Sequence, residues 1–173
     1  MTPSEFGDAW MAWATGDNIP APLREELASL TTWGNESFSD AVLSEDDLAL
    51  LTNVGLPREA APFLSFRSGS GLLATLRLTE TGARRLAGLI QLGSDGAGNP
   101  ICLDGTSGQV VLVDHDADLD IVFMNSSPMQ LAESLLAYQT ERHGRAAVAT
   151  LAEIDPAALN EGSFWTAELR NVD

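Results

Sequence analysis

The stretch LIQLGSDGAGNPICLDGTSGQVVLVDHDADLDIVFM, residues 89–124, decides the fold. It holds four apolar runs, the first read as LAGLIQL (86–92) and beginning just before the stretch, then PICL, QVVLV and DIVFM, each bounded by turn residues. Runs of this length and texture read as strands, and the residues between them as turns. The connections are too short for crossover helices, so neighbouring strands pair antiparallel and the pattern predicts a meander. Pro100 restricts Asn99 to extended geometry and starts a strand. The glycines of GSDGAG permit the positive φ that tight turns require. Cys102 stands between Ile101 and Leu103, where a lone cysteine acts as a small core residue.

Upstream, FLSF (63–66) and LLATLRL (72–78) extend the strand texture, and 79–86 has room for one helical turn. Further toward the N-terminus the signals are helical. Thr2, Pro3 and Glu5 occupy the cap, first-turn and capping-box positions of a helix whose apolar face is Phe6, Trp10 and Trp13. Gly16 and Pro20 end it, and a short helix fits 23–30. Ser44 caps another, with Asp46 and Asp47 in the first turn, where the helix dipole favours negative charge. Leu48, Leu51 and Val54 line it, and Gly55 stops it.

Downstream, Ser127, Pro128 and Gln130 repeat the cap, proline and capping-box signature, with Leu131, Leu135 and Tyr138 as the buried stripe. Gly144 ends or interrupts that helix, Asp155-Pro156 opens another start, and Phe164, Trp165 and Leu169 suit a last helix. Helices, then strands, then helices predict an α+β fold: an antiparallel meander sheet flanked by N-terminal and C-terminal helices. The length of 173 residues suits one domain, 1–173.

A meander alternates its turns between two ends of the sheet. The turn after Leu92 and the turn DHDADLD (114–120) then share one end, and DGTSG (104–108) takes the other. Asp95, Asp114, His115, Asp116, Asp118 and Asp120 therefore gather along one rim by topology rather than by adjacency.

Charge narrows the function. Twenty-five acidic residues face nine basic ones, all arginine, for a net charge of −16. Such a surface repels nucleic-acid phosphates and anionic membranes, and it favours fast capture of a basic partner. The single cysteine forms no internal disulfide. The start MTPSEFGDAWMAW lacks the pattern of a signal peptide, and no apolar run reaches the roughly 20 residues of a membrane helix. A reduced, cytoplasmic setting is the expectation.

Catalytic readings are weaker than structural ones at every point. The acidic loops offer hard oxygens, but neither has the spacing of a calcium loop. The glycines of GSDGAGNP lack the lysine and following helix of a phosphate cradle. His115 sits among carboxylates and suits a salt contact. The remaining histidine, His143, and Cys102 leave too few ligands for zinc. No metal and no cofactor is expected.

The ordered motifs LTNVGLP (51–57), FLSF (63–66), LIQLGSDGAGNPICLD (89–104), GQVVLVDHD (108–116) and FMNSSPMQLAESLLAY (123–138) resemble the SUKH superfamily, closest to its fourth bacterial immunity group. The resemblance covers residues 48–138; 15–41 and the tail after His143 match less well. It implies an α+β binding module rather than an enzyme. Many bacterial members neutralise toxins, often nucleases or nucleic-acid deaminases, by direct contact. The superfamily's glycine and aspartate turn falls on Gly93, Asp95, Gly96, Gly98 and Asn99, its next strand on Ile101 and Leu103, and its DH pair on Asp114 and His115.

Charge and resemblance together predict a non-catalytic protein that binds a basic protein toxin. The expected contacts are Asp95, Asn99, Asp114, His115, Asp116 and Asp118. A regulatory or scaffold role in a cellular pathway is the rival from another class. A metal-dependent hydrolase using the same rim is the third.

Overall fold

The computed structural model describes residues 1–69, 80–141 and 145–170. The strand expected over 72–78, together with His143 and Gly144, lies outside the described residues.

The sheet is built as the short connections dictate. Its strands are β3 (Glu59–Ala60), β4 (Leu64–Phe66), β5 (Leu89–Ser94), β6 (Pro100–Asp104), β7 (Val110–Asp114) and β8 (Asp120–Asn125). They follow one another in chain order, and every pair is antiparallel. Strands β1 (Leu30–Thr31) and β2 (Leu56–Pro57) form a separate small ladder. The protein is α+β, with helices before and after the meander.

Helix α1 (Pro3–Ala14) starts where its cap signals place it. Thr2 Oγ1 accepts the Glu5 N–H, and the Glu5 carboxylate accepts the Thr2 N–H at 2.7 Å. Its inward face buries Phe6, Trp10 and Ala14 completely. Trp10 donates its indole N–H to the Leu27 carbonyl at 2.8 Å and so ties α1 to α2 (Ala21–Leu27). Helix α2 is shorter than the expected 23–30 span, because Leu30 leaves it to pair with Pro57 in the small ladder.

Ser44 caps α3 (Glu45–Ala49), but the expected single helix changes character after one turn. Residues Leu50–Val54 form a π turn, closed by a 2.6 Å bond from the Gly55 N–H to the Leu50 carbonyl. Leu50 and Leu51 are both fully buried there, although they are adjacent. Gly55, at φ 99°, then turns the chain into β2. A short helix α4 (Glu80–Arg85) precedes β5.

Three helices close the chain: α5 (Pro128–Thr140), α6 (Arg145–Ile154) and α7 (Phe164–Arg170). Ser127 accepts the Gln130 N–H as expected. The Gln130 side chain does not complete a capping box. It donates to the Ile154 carbonyl at 3.0 Å, where it fastens α5 to the end of α6. Leu131, Leu135 and Tyr138 are buried together.

The main core lies between one sheet face and these helices. Leu64, Phe66, Leu92, Ile101, Leu103, Val110, Leu112 and Met124 meet Phe6, Trp10, Leu135 and Trp165 there. Burying each such large side chain stabilises by about 1.5–3 kcal/mol. A polar node registers the last helices on the sheet. Trp165 donates to Asn125 at 2.9 Å; Asn125 and Ser126 in turn donate to the buried Asp155 carboxylate. On the other sheet face Cys102 packs with Leu86, Val111 and Val113. Burial pushes its thiol up to about 12, which leaves it inert as a nucleophile at neutral pH.

Candidate functional site

The register places three turns at one end of the sheet. Ala60 pairs with Leu64, Ser94 with Pro100 and Asp114 with Asp120. The connections 61–63, 95–99 and 115–119 therefore open at the same end. The turn that begins at Asp104 lies at the opposite end.

Asp95 organises the middle turn. Its carboxylate accepts the N–H groups of Ala97 and Asn99 at 2.9 and 2.8 Å, and the Asn99 amide N–H at 2.9 Å. The Asn99 side-chain Oδ1 then bridges to the next turn. It accepts the His115 backbone N–H at 3.1 Å and lies 2.6 Å from the His115 Nδ1. Asp114 Oδ1 accepts the N–H groups of Asp116 and Ala117, so it shapes its own turn. The residues expected along the rim are thus brought to one end, in two layers. Asp95, Asn99, Asp114 and His115 are half-buried and hold the two turns together. Asp116 and Asp118 are exposed, the Asp116 side chain at 88%.

Asp120 belongs to the same end but is not free. Arg85 pairs with its carboxylate at 2.7 Å and donates to the Asp118 carbonyl at 3.0 Å. Asp118 and Leu119 adopt φ of 53° and 61°, left-handed positions in the turn between β7 and β8.

Two residues at this end escape the sequence reading. Glu168 on α7 is half-buried, and its carboxyl titrates above the ordinary value, first through desolvation and then through repulsion from Asp95. The C-terminal helix therefore adds a carboxylate beside the middle turn. Its helical spacing from Trp165 places it toward the core face, but nothing in the sequence says which end of the sheet it meets.

The other is Phe63. The apolar texture of FLSF puts it at the start of a strand; the structure puts it in the turn before β4. It is 86% exposed, with φ 61°. A side chain in that left-handed region costs about 1–2 kcal/mol. Its ring also forgoes the roughly 1.5–3 kcal/mol that burial returns. Its Cβ packs over Gly96, where an added Cβ would lie 3.0 Å away. A side chain at 96 would push Phe63 away by a few tenths of an ångström, so glycine suits the close approach of the two turns.

The carboxylates at this end do not converge on a common point. Among the described residues, no group of three or more His, Cys, Asp and Glu side chains is placed to hold a metal ion. Two open depressions lie elsewhere. One, of about 410 Å³, is edged by Glu25, Glu26, Arg58, Glu59 and Arg67; the other, of about 560 Å³, lies between Trp33 and the π turn. Neither contains a cysteine or histidine that could serve as nucleophile or base.

The structure is thus a helix-flanked antiparallel meander whose acidic turn residues share one end of the sheet without converging on a point. The SUKH-4 immunity protein family model matches residues 8–171, and the chain belongs to that family, within the SUKH superfamily. The match runs well past the 48–138 span of the motifs read from sequence and takes in the divergent segment 15–41 and the C-terminal helices. No curated protein and no solved structure matches the chain. Family membership implies a toxin-immunity role, a cognate toxin as partner, and a non-enzymatic mode of action. No described helix is long and apolar enough to cross a membrane.

Proposed function

We propose that the chain is a single-domain immunity protein that neutralises a basic toxin by occluding it, and that the toxin acts on nucleic acid. The observation that carries this reading is the turn end of the sheet. There Asp116 and Asp118 project into solvent while Asp95, Asn99, Asp114 and His115 fix the turns beneath them. A nuclease or nucleic-acid deaminase holds phosphates in a basic cleft. An acidic, preorganised edge on a protein of net charge −16 can enter such a cleft, and long-range attraction accelerates the encounter. No chemistry by the immunity protein is required, since occupancy of the cleft excludes the substrate.

The test is a binding titration against the toxin domain encoded beside this gene, run across salt concentration. Nanomolar binding whose association rate falls steeply from low to high salt is expected. Binding with a salt-independent association rate would remove the electrostatic part of the proposal. No binding at any salt concentration would instead favour the regulatory role.

A further inference from the structure

Phe63 is the most exposed large hydrophobic side chain among the described residues, well ahead of Val42 at 62% and Met1 at 55%. Isolated exposed apolar residues are common and need no explanation. Phe63 differs in three ways. It occupies a left-handed backbone position that favours glycine or asparagine. Its ring finds no burial against the described residues that would offset this. Its backbone is seated on Gly96, so the ring is held beside the Asp95 turn rather than on a free tip.

We propose that Phe63 is the apolar anchor of the toxin-binding surface. Its ring enters an apolar pocket on a basic toxin, and the carboxylates of the turn end meet basic side chains around that pocket. This rests on the proposed immunity function and assigns it a central residue. The physical case is the usual anatomy of tight interfaces, where a few aromatic anchors carry most of the affinity and a polar rim keeps water out. Phe suits the role because it has only two side-chain torsions to fix. Its turn is also braced against 95–99 before the partner arrives, which reduces the ordering cost of binding. Charge selects the occupant. A ring that shares its end of the sheet with Asp95, Asp116, Asp118 and Glu168 disfavours an acidic protein and favours one that presents arginine or lysine around a pocket.

The experiment measures association and dissociation rates of wild-type, Phe63→Ala, Phe63→Leu and Phe63→Gly proteins with the toxin domain encoded beside the gene. Thermal unfolding of each variant is recorded in parallel. Phe63→Ala is expected to weaken binding about 30-fold or more, mostly through faster dissociation, the size typical of an interface hot spot. Phe63→Leu should recover part of the loss. Phe63→Gly should bind as weakly as Phe63→Ala yet unfold at a higher temperature than Phe63→Ala, because glycine relieves the left-handed backbone. Wild-type binding with Phe63→Ala within twofold of it would overturn the anchor and leave the immunity reading standing. No binding by the wild-type protein would overturn both.

Discussion

Asp104 opens the turn between β6 and β7, and Asp95 opens the turn between β5 and β6 at the opposite end of the sheet. Locally they do the same work. Asp104 accepts bonds from the Thr106 N–H, the Thr106 hydroxyl and the Ser107 hydroxyl. Asp95 accepts them from the Ala97 and Asn99 N–H groups and the Asn99 amide. What differs is the next layer. The Gly105 carbonyl accepts the Val42 N–H at 2.8 Å, and the Gly105 N–H donates to Gly88 at 3.0 Å. That end is closed against the chain itself. Among the described residues, the Asp95 end meets other turns, Arg85 of α4 and Glu168 of α7, and it leaves Phe63, Asp116 and Asp118 in solvent. The lesson is that acidic glycine turns are interchangeable as local structure. Their availability to a partner is decided by what the rest of the fold lays over them.

The largest test of this contrast is a pair of glycine substitutions. Gly108 and Gly98 have φ of 77° and 89°, so alanine is strained at both. A Cβ on Gly108 would lie 2.6 Å from the Val42 carbonyl oxygen, whereas one on Gly98 meets nothing within 4 Å. Gly98→Ala should cost only the backbone term, about 1–2 kcal/mol. Gly108→Ala adds overpacking, for a total of about 2–5 kcal/mol. Urea unfolding curves measure both. Equal losses would mean that the two ends are equally open.

Next in size is an effect on encounter rather than on stability. Asp116→Asn with Asp118→Asn removes the two exposed carboxylates; it gives up the 3.5 Å contact of Asp116 with His115 Nε2 but leaves in place the bonds of Asp95, Asn99 and Asp114 that hold the turns. Association with the toxin domain should slow about tenfold at low salt, within the range of electrostatic steering. Unfolding free energy should stay within about 0.5 kcal/mol of wild type. Asp114→Asn belongs to a different class. Its carboxylate shapes the turn, so a change in association there would not separate charge from geometry. An unchanged association rate in the double variant would shift the encounter surface away from this end.

The meander was legible because short connections leave antiparallel pairing as the only option, and alternating turns then fix which loops share an end. Helix starts at Pro3, Glu45 and Pro128 were legible because Thr2, Ser44 and Ser127 are local signals. What was not legible depends on contacts distant in sequence. Phe63 reads as strand because its neighbours are apolar; only the pairing of Ala60 with Leu64 shows that 61–63 must turn. Asp120 reads as a free carboxylate until α4 brings Arg85 to it. The π turn at Leu50–Val54 has no sequence signal beyond two adjacent leucines, each fully buried. Glu168 feels the charge of Asp95 from 73 residues away in sequence, a proximity set by where the fold places α7.

The smallest expected effects are those of pH, and the two ends should respond with opposite sign. At the closed end, burial opposes ionisation of Asp104, but the hydrogen bonds from Thr106 and Ser107 outweigh it and hold its carboxyl below the ordinary 3.8. The folded state therefore gives up this proton more readily than the unfolded state does. Its contribution is complete above pH 3.8 and is lost as pH falls through the lower folded value. At the open end, desolvation and then Asp95 raise Glu168 above 4.5. The folded state holds that proton longer, so stability declines as pH rises from 4.5 through the raised value, and the penalty persists at neutrality. Asp104→Asn should thus lower the melting temperature at pH 7 and flatten its fall below pH 4. Glu168→Gln should raise the melting temperature at pH 7 and leave it unchanged near pH 3, where the native carboxyl is already protonated. A carboxylate that costs the free protein stability suits a binding edge, because a cation supplied by the partner offsets the repulsion that Asp95 imposes. If Glu168→Gln proves neutral in both melting temperature and toxin binding, α7 is a structural element alone and the open end shrinks to its three turns.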